Sequence, residues 1–143
     1  MRLDGQPPIG KLESTPLIPP GSEQPPRSTS TVSRVIRNTQ IGNTAKELYD
    51  YKCQVCGIRL VTPSGAYAES CHIKPLGKPH NGPDTLDNVL CLCPNCHVLL
   101  DMHALSIQDN LFIPETGNKL NLRGEHKIKR DYLDYRNKLG PRK

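Results

Sequence analysis

Tryptophan is absent from this chain, phenylalanine occurs once, and aromatic residues make up only 4% of its 143 positions. A folded region with so few large rings has little core to rely on, so a structural metal is expected to supply much of its stability. Long apolar runs are missing as well. None approaches the ~20 residues of a membrane-spanning helix, so no membrane is expected as partner. The first residues, Met1 to Gly10, hold an acid and two prolines where a secretory leader needs its apolar segment. The expected compartment is therefore the cytoplasm, where thiols stay reduced and bind metal.

Six cysteines stand out against that sparse background. Four of them form two Cys-x-x-Cys pairs, Cys53/Cys56 and Cys93/Cys96, which bracket His72 and are followed at once by His97. Each short loop lets two thiolates converge on one ion, and two loops complete a tetrahedral set, so these four are expected to hold structural Zn²⁺. A disulfide framework is disfavoured by the reducing compartment, and a redox Cys-x-x-Cys lacks the βαβ context it needs. Cys91 shares strand parity with Cys93 but reads as a small apolar packing residue.

Half of the fourteen prolines precede Arg27. Residues 1–33 are expected to be a disordered Pro/Ser-rich tail, because they offer too few core-forming side chains to offset their ordering entropy. Residues 34–118 would form the metal-stapled domain, and 119–143 a basic C-terminal helix packing on it or extending it. Lys and Arg number ten against eleven Asp and Glu over residues 1–118, but nine against three over 119–143. That cationic end fits a polyanion through phosphate neutralisation, although on charge alone a solvated helix fits equally.

Within the folded part, Thr44-Ala-Lys-Glu47 has the form of a capping box and predicts a helix from there to about Tyr51. Arg59 to Val61 and Tyr67 to Ile73 are expected to be extended around a Thr62-Pro-Ser-Gly65 turn. The breaker-rich stretch from Leu76 to Asp87 reads as a loop, and Asn88 to Leu92 as a short strand. Pro94 suits the first position of a helix running to about Met102, with His97 and Asp101 on one face and His103 turned roughly 120° away. Ala104 to Ile107 and Leu111 to Ile113, flanking Gln108-Asp-Asn110, suggest a hairpin. Glu125 to Leu139 reads as a final amphipathic helix packed through Ile128, Tyr132, Leu133 and Tyr135.

Strand, long loop, strand and helix, with His72, Asn88 and His97 placed along them, resemble the HNH nucleases. The residues that carry the likeness are Cys53-Gln-Val-Cys56, Glu69-Ser-Cys-His-Ile-Lys-Pro75, and Asp87-Asn-Val-Leu-Cys-Leu-Cys-Pro-Asn-Cys-His97 continuing to Asp101. The match covers about Leu48 to Ile107. The chain is similar in particular to the HNH domains that accompany SRA domains in modification-dependent restriction enzymes, in the segment through His97, Val98, Leu99 and Asp101 and in the loop Pro79-His-Asn-Gly-Pro83. The C-terminal Tyr132-Leu-Asp-Tyr135 also has counterparts there. The resemblance implies an α+β fold: a small zinc-stapled ββα-metal (His-Me finger) domain with flanking helices. It also implies a metal-dependent DNA endonuclease, bacterial or phage-encoded, that leaves a 5′-phosphate.

Phosphodiester hydrolysis needs a base for water and a cation for the charge that develops on phosphate and leaving oxygen. A neutral imidazole suits the first role, which falls to His72. The resemblance implies that the backbone around Asn88 orients that ring and that His97 holds the catalytic ion: Mg²⁺ or another divalent cation such as Mn²⁺, Co²⁺ or Ni²⁺. Many relatives have Asp or His just before the general base, as a metal ligand, where this chain has Cys71. Three readings stand: Asp101 completes the site, Cys71 does so with a softer ion, or the site is weakened. Asp101 is favoured because the helical period sets it beside His97.

DNA would be met mainly through phosphates, by Lys74, Lys78 and His80 in the loop and by Lys127, Lys129 and Arg130 at the basic end. Taken singly, His80, His103 and His126 default to surface or core residues. No recognition domain is legible, so any specificity would come from a partner such as a separate recognition subunit, from the tail, or not exist, while a double-strand cut by one active site would favour a homodimer. The competing function is a zinc-stabilised nucleic-acid-binding module without cleavage, which Cys71 favours and the in-register His72, Asn88, His97 and Asp101 oppose.

Overall fold

A computed structural model describes residues 15–30 and 39–140. Contacts divide the chain into a unit of Met1–Val32 and a unit of Ser33–Lys143. In the first, the described residues are exposed and form neither helix nor strand. The boundary expected near residue 33, the start of the tail and the terminal cations Arg142 and Lys143 lie outside the described residues.

The second unit is a small α+β domain, with short antiparallel hairpins and three α-helices among its described residues. Helix α1 (Thr39–Leu48) leads into hairpin β1 (Leu60–Thr62) and β2 (Gly65–Tyr67), closed by the expected turn. The stretch expected to run extended from Tyr67 to Ile73 is split at the buried Ala68. Its second part, β3 (Glu69–His72), pairs instead with β4 (Val89–Leu92), with Glu69 opposite Leu92 and His72 opposite Val89. A 3₁₀ turn at Leu86–Asn88 precedes β4, so Asn88 closes the loop rather than opening the strand. Helix α2 (Pro94–Asp101) follows at once, with Pro94 at its start as expected. Every residue of β4 is buried, because Leu90 and Leu92 enter the main core with Ile73, Leu100 and Ile113 while Cys91 packs against Tyr49 and Ala68.

Three expectations shift. Helix α1 starts at Thr39, and Thr44 lies inside it instead of capping it. Ile41, Ala45 and Tyr49, spaced by four, form its inner stripe, and packing of that stripe outweighs the local cap signal. Gly42 permits the approach: a β-carbon there would lie 2.9 Å from Ser70 Oγ. The expected hairpin around Gln108-Asp-Asn110 is a turn without strand pairing. The paired strands are β5 (Phe112–Ile113) and β6 (Asn118–Lys119), because Gly117 at φ 76 supplies the left-handed turn residue. Helix α3 spans Arg130–Leu139 and not from Glu125, since His126 is fully buried and its backbone leads the chain into the core before the helix begins.

Candidate active site

The four paired cysteines converge. Their sulfurs all lie within 4.8 Å of one another, and Cys56 Sγ is 3.7 Å from Cys93 Sγ. All six cysteines are free thiols. Two thiolates at ~2.3 Å from one tetrahedral ion stand roughly 3.8 Å apart, so the spacing suits a shared ion. Backbone N–H groups of Val55 and Cys56 donate to Cys53 Sγ, at 3.4 and 3.5 Å, and that of Cys96 donates to Cys93 Sγ at 3.4 Å. Burial raises the Cys53 thiol, but these donors outweigh it and lower the group overall, favouring thiolate. The donor set fits structural zinc. Cys91 stays out of it, its sulfur 3.4 Å from the Lys52 carbonyl and its thiol pushed up to about 12 by burial.

A second cluster lies where β3 meets α2. Glu69 and Cys71 share a strand face, and His97 and Asp101 share a helix face, so the two periodicities bring them together. His97 Nε2 is 3.3 Å from Asp101 Oδ2, and its Nδ1 is 2.8 Å from Glu69 Oε1. Cys71 Sγ is 3.9 Å from Asp101 Oδ1. Asp101, with Cys71 and Glu69 adding to it, raises the His97 imidazolium to about 11. Cys71, His97 and Asp101 each offer one donor atom, all within 4.8 Å of one another, a spacing that could hold a cation. The Tyr67 hydroxyl donates to Glu69 at 2.7 Å and, with His97, keeps that carboxyl below its usual range.

His72 ends β3 with its Nε2 2.8 Å from Asp84 Oδ1. Asn88 explains how that partner comes to be there. Its side chain accepts from the Lys74 N–H at 2.8 Å and donates to the carbonyls of Lys74 and Pro83, at 2.9 and 2.8 Å. The fully buried asparagine thus ties both ends of the loop together, next to His72 and next to Asp84. Gly82 belongs to the same closure, for a β-carbon there would lie 2.1 Å from the Lys74 carbonyl oxygen.

Arg136 of α3 is 5% exposed and closes the floor. Its Nε donates to Ile73 O at 2.8 Å, Nη1 to Leu100 O at 3.0 Å, and Nη2 to His72 O at 3.0 Å. One guanidinium thereby joins the end of β3, the end of α2 and the final helix. Cys71, His72, His97, Asp101 and Arg136 line one cleft of about 620 Å³, which His80 and His103 also border.

The expected DNA contacts are dispersed. His80 Nδ1 is 2.7 Å from Tyr135 Oη, and Lys74 Nζ lies 4.6 Å from the centre of the Tyr135 ring. Lys78 is exposed on the same loop. Lys127 and Arg130 line a separate hollow with Lys119, and Lys129 lies over Tyr132 at 5.7 Å. Neither Asn88 nor these C-terminal cations line the cleft of His72 and His97. The sequence reading missed Asp84, the role of Glu69, and Arg136. Glu69 alone left a signal, its even spacing from Cys71 along a strand. Among the described residues no helix is long and apolar enough to cross a membrane.

Residues 53–108 match the HNH endonuclease family. Among solved structures the chain is similar to a protein titled modification dependent TagI restriction endonuclease, with 38% identity and a TM-score of 0.71 over 74% of this chain. It spans 39% of the length of that protein. No curated protein sequence matches it. With both cysteine pairs, the β3–β4 hairpin and the helix that carries His97 inside the matched residues, residues 53–108 are an HNH endonuclease domain, of a family of phosphodiester hydrolases.

Proposed function

We propose that this chain is a metal-dependent DNA endonuclease in which His72 is the general base and His97 and Asp101 hold the hydrolytic ion. The single observation that carries this reading is that His72 and the His97/Asp101 pair line the same cleft. When His72 donates Nε2–H to Asp84, the lone pair that takes a proton from water is on Nδ1. The hydroxide oxygen then attacks phosphorus, the bond to the leaving oxygen breaks, and the proton stays on the imidazole. Asp84 holds the ring in that tautomer and orientation. A divalent ion, when bound, offsets charge on the phosphate and the departing oxygen. Glu69 fixes the His97 ring through Nδ1, which keeps Nε2 turned to the ion site.

The four-cysteine cluster serves the fold, and exposed cations on the loop and at the C-terminal end would meet backbone phosphates without reading bases. The test is supercoiled plasmid incubated with protein and Mg²⁺, Mn²⁺, Co²⁺ or Ni²⁺, beside a His72→Ala control. Nicking or linearisation by the parent alone is the expected result. Binding with no cutting under any ion would replace this reading by that of a zinc-stabilised binding module.

A further inference from the structure

We infer that Cys71 is itself a ligand of the ion that His97 and Asp101 hold, so that the site takes a borderline cation of the Zn²⁺ or Co²⁺ class in preference to Mg²⁺. The inference rests on the endonuclease reading for the use of the ion. The ligand set stands on the cluster. Donor atoms of Cys71, His97 and Asp101 all lie within 4.8 Å of one another, with Sγ to Oδ1 at 3.9 Å and Nε2 to Oδ2 at 3.3 Å. Donors bound at ~2.0–2.3 Å around a tetrahedral ion are roughly 3–4 Å apart, so little adjustment is needed.

Cys91 shows what a packing cysteine looks like in this fold. It lies on the other side of the hairpin, among Tyr49 and Ala68, with a carbonyl for its only polar neighbour of note. Cys71 is equally buried at the edge of the main core, its sulfur 3.8 Å from the His72 carbonyl, yet that sulfur also faces a carboxylate and an imidazole at the wall of the cleft. Glu69 stands outside this cluster, since it meets His97 at Nδ1, on the other edge of the ring from the Nε2 that faces Asp101. That leaves one oxygen donor in the cluster. Mg²⁺ requires near-octahedral oxygen coordination, whereas thiolate with imidazole suits zinc and its neighbours.

The test loads the full-length protein with NMR-active cadmium, without DNA. Two resonances are expected: one from the four-thiolate site, and a second at the intermediate position of a single-thiolate site. Cys71→Ser should move the second toward the oxygen and nitrogen range, and His97→Ala should abolish it, with the first unchanged as the folding control. By calorimetry, Co²⁺ affinity of this site in Cys71→Ser should fall by more than the about 10²-fold that loss of an outer partner can cost. Cys71→Asp should bind Mg²⁺ more tightly than the parent does. A second resonance that Cys71→Ser leaves in place, or none in the parent, overturns the assignment; the parent's own shift decides the matter if a variant fails to fold. Cleavage without a thiolate-shifted resonance overturns this ligand alone. A thiolate-shifted resonance without cleavage under any ion overturns the endonuclease reading alone.

Discussion

Arg136 Nη2 sits 3.0 Å from the carbonyl oxygen of His72 and 3.4 Å from Asp101 Oδ1, so one buried side chain ties the proposed general base to the helix that carries His97 and Asp101. It comes from α3, beyond the residues that match the family. Removing it leaves the carbonyls of His72, Ile73 and Leu100 without this donor. Arg136→Met should cost about 3 kcal/mol, given ~1 kcal/mol or more for each buried acceptor left unpaired. Arg136→Lys should recover little of that, because an ammonium cannot reproduce the planar fork. Urea unfolding measures the cost, and a loss below about 1 kcal/mol for the Met variant would contradict the bracing role.

Removing zinc should unfold the domain. The sulfurs of Cys53, Cys56, Cys93 and Cys96 gather two loops far apart in sequence, and the core they cap contains no tryptophan and few rings. Cys53→Ser or Cys93→Ser, or a strong chelator, should abolish the cooperative transition, since ion binding and folding are one event in such domains. A Cys53→Ser protein with an unchanged melting curve would show that the core holds without the ion.

Asp84→Asn should leave the fold intact and slow plasmid cleavage. In the proposed mechanism the carboxylate at 2.8 Å fixes the tautomer and orientation of His72, which an amide, able to present its NH₂ group instead, does imperfectly. A loss of up to about 10²-fold in rate is expected, within the range general-base assistance supplies. Equal rates for the two proteins would remove Asp84 from the mechanism.

What could be read from the sequence was whatever is local. Paired cysteines announce themselves by a spacing of three, Pro94 marks its helix, and His97 and Asp101 lie one turn apart. Partners that the fold brings from a distance left almost no trace. Asp84 is hidden in a loop of prolines and glycines, and Arg136, 64 positions from His72, looked like one more charge in a basic tail. The misplaced elements yielded to features that the local signals do not carry: the inner stripe through Ala45 and Tyr49 extends α1 back to Thr39, Gly117 sets the hairpin at β5 and β6, and the fully buried His126 delays α3.

That last histidine makes the domain acid-sensitive in a defined sense. His126 Nδ1 accepts from Tyr49 Oη at 2.6 Å and Nε2–H donates to Leu86 O at 2.9 Å, so the neutral ring is fully satisfied in the core. Burial holds its pKa below the ordinary 6.5. The unfolded chain therefore takes up this proton first, and the contribution is complete above about pH 6.5 and lost as pH falls from there toward the folded pKa. His126→Gln keeps a donor for Leu86 but does not titrate. With zinc saturating, the stability difference between parent and variant should shrink as pH is lowered through that window. A constant difference from pH 7.5 to 5 would mean that the buried ring is protonated as readily in the folded protein as in the unfolded one.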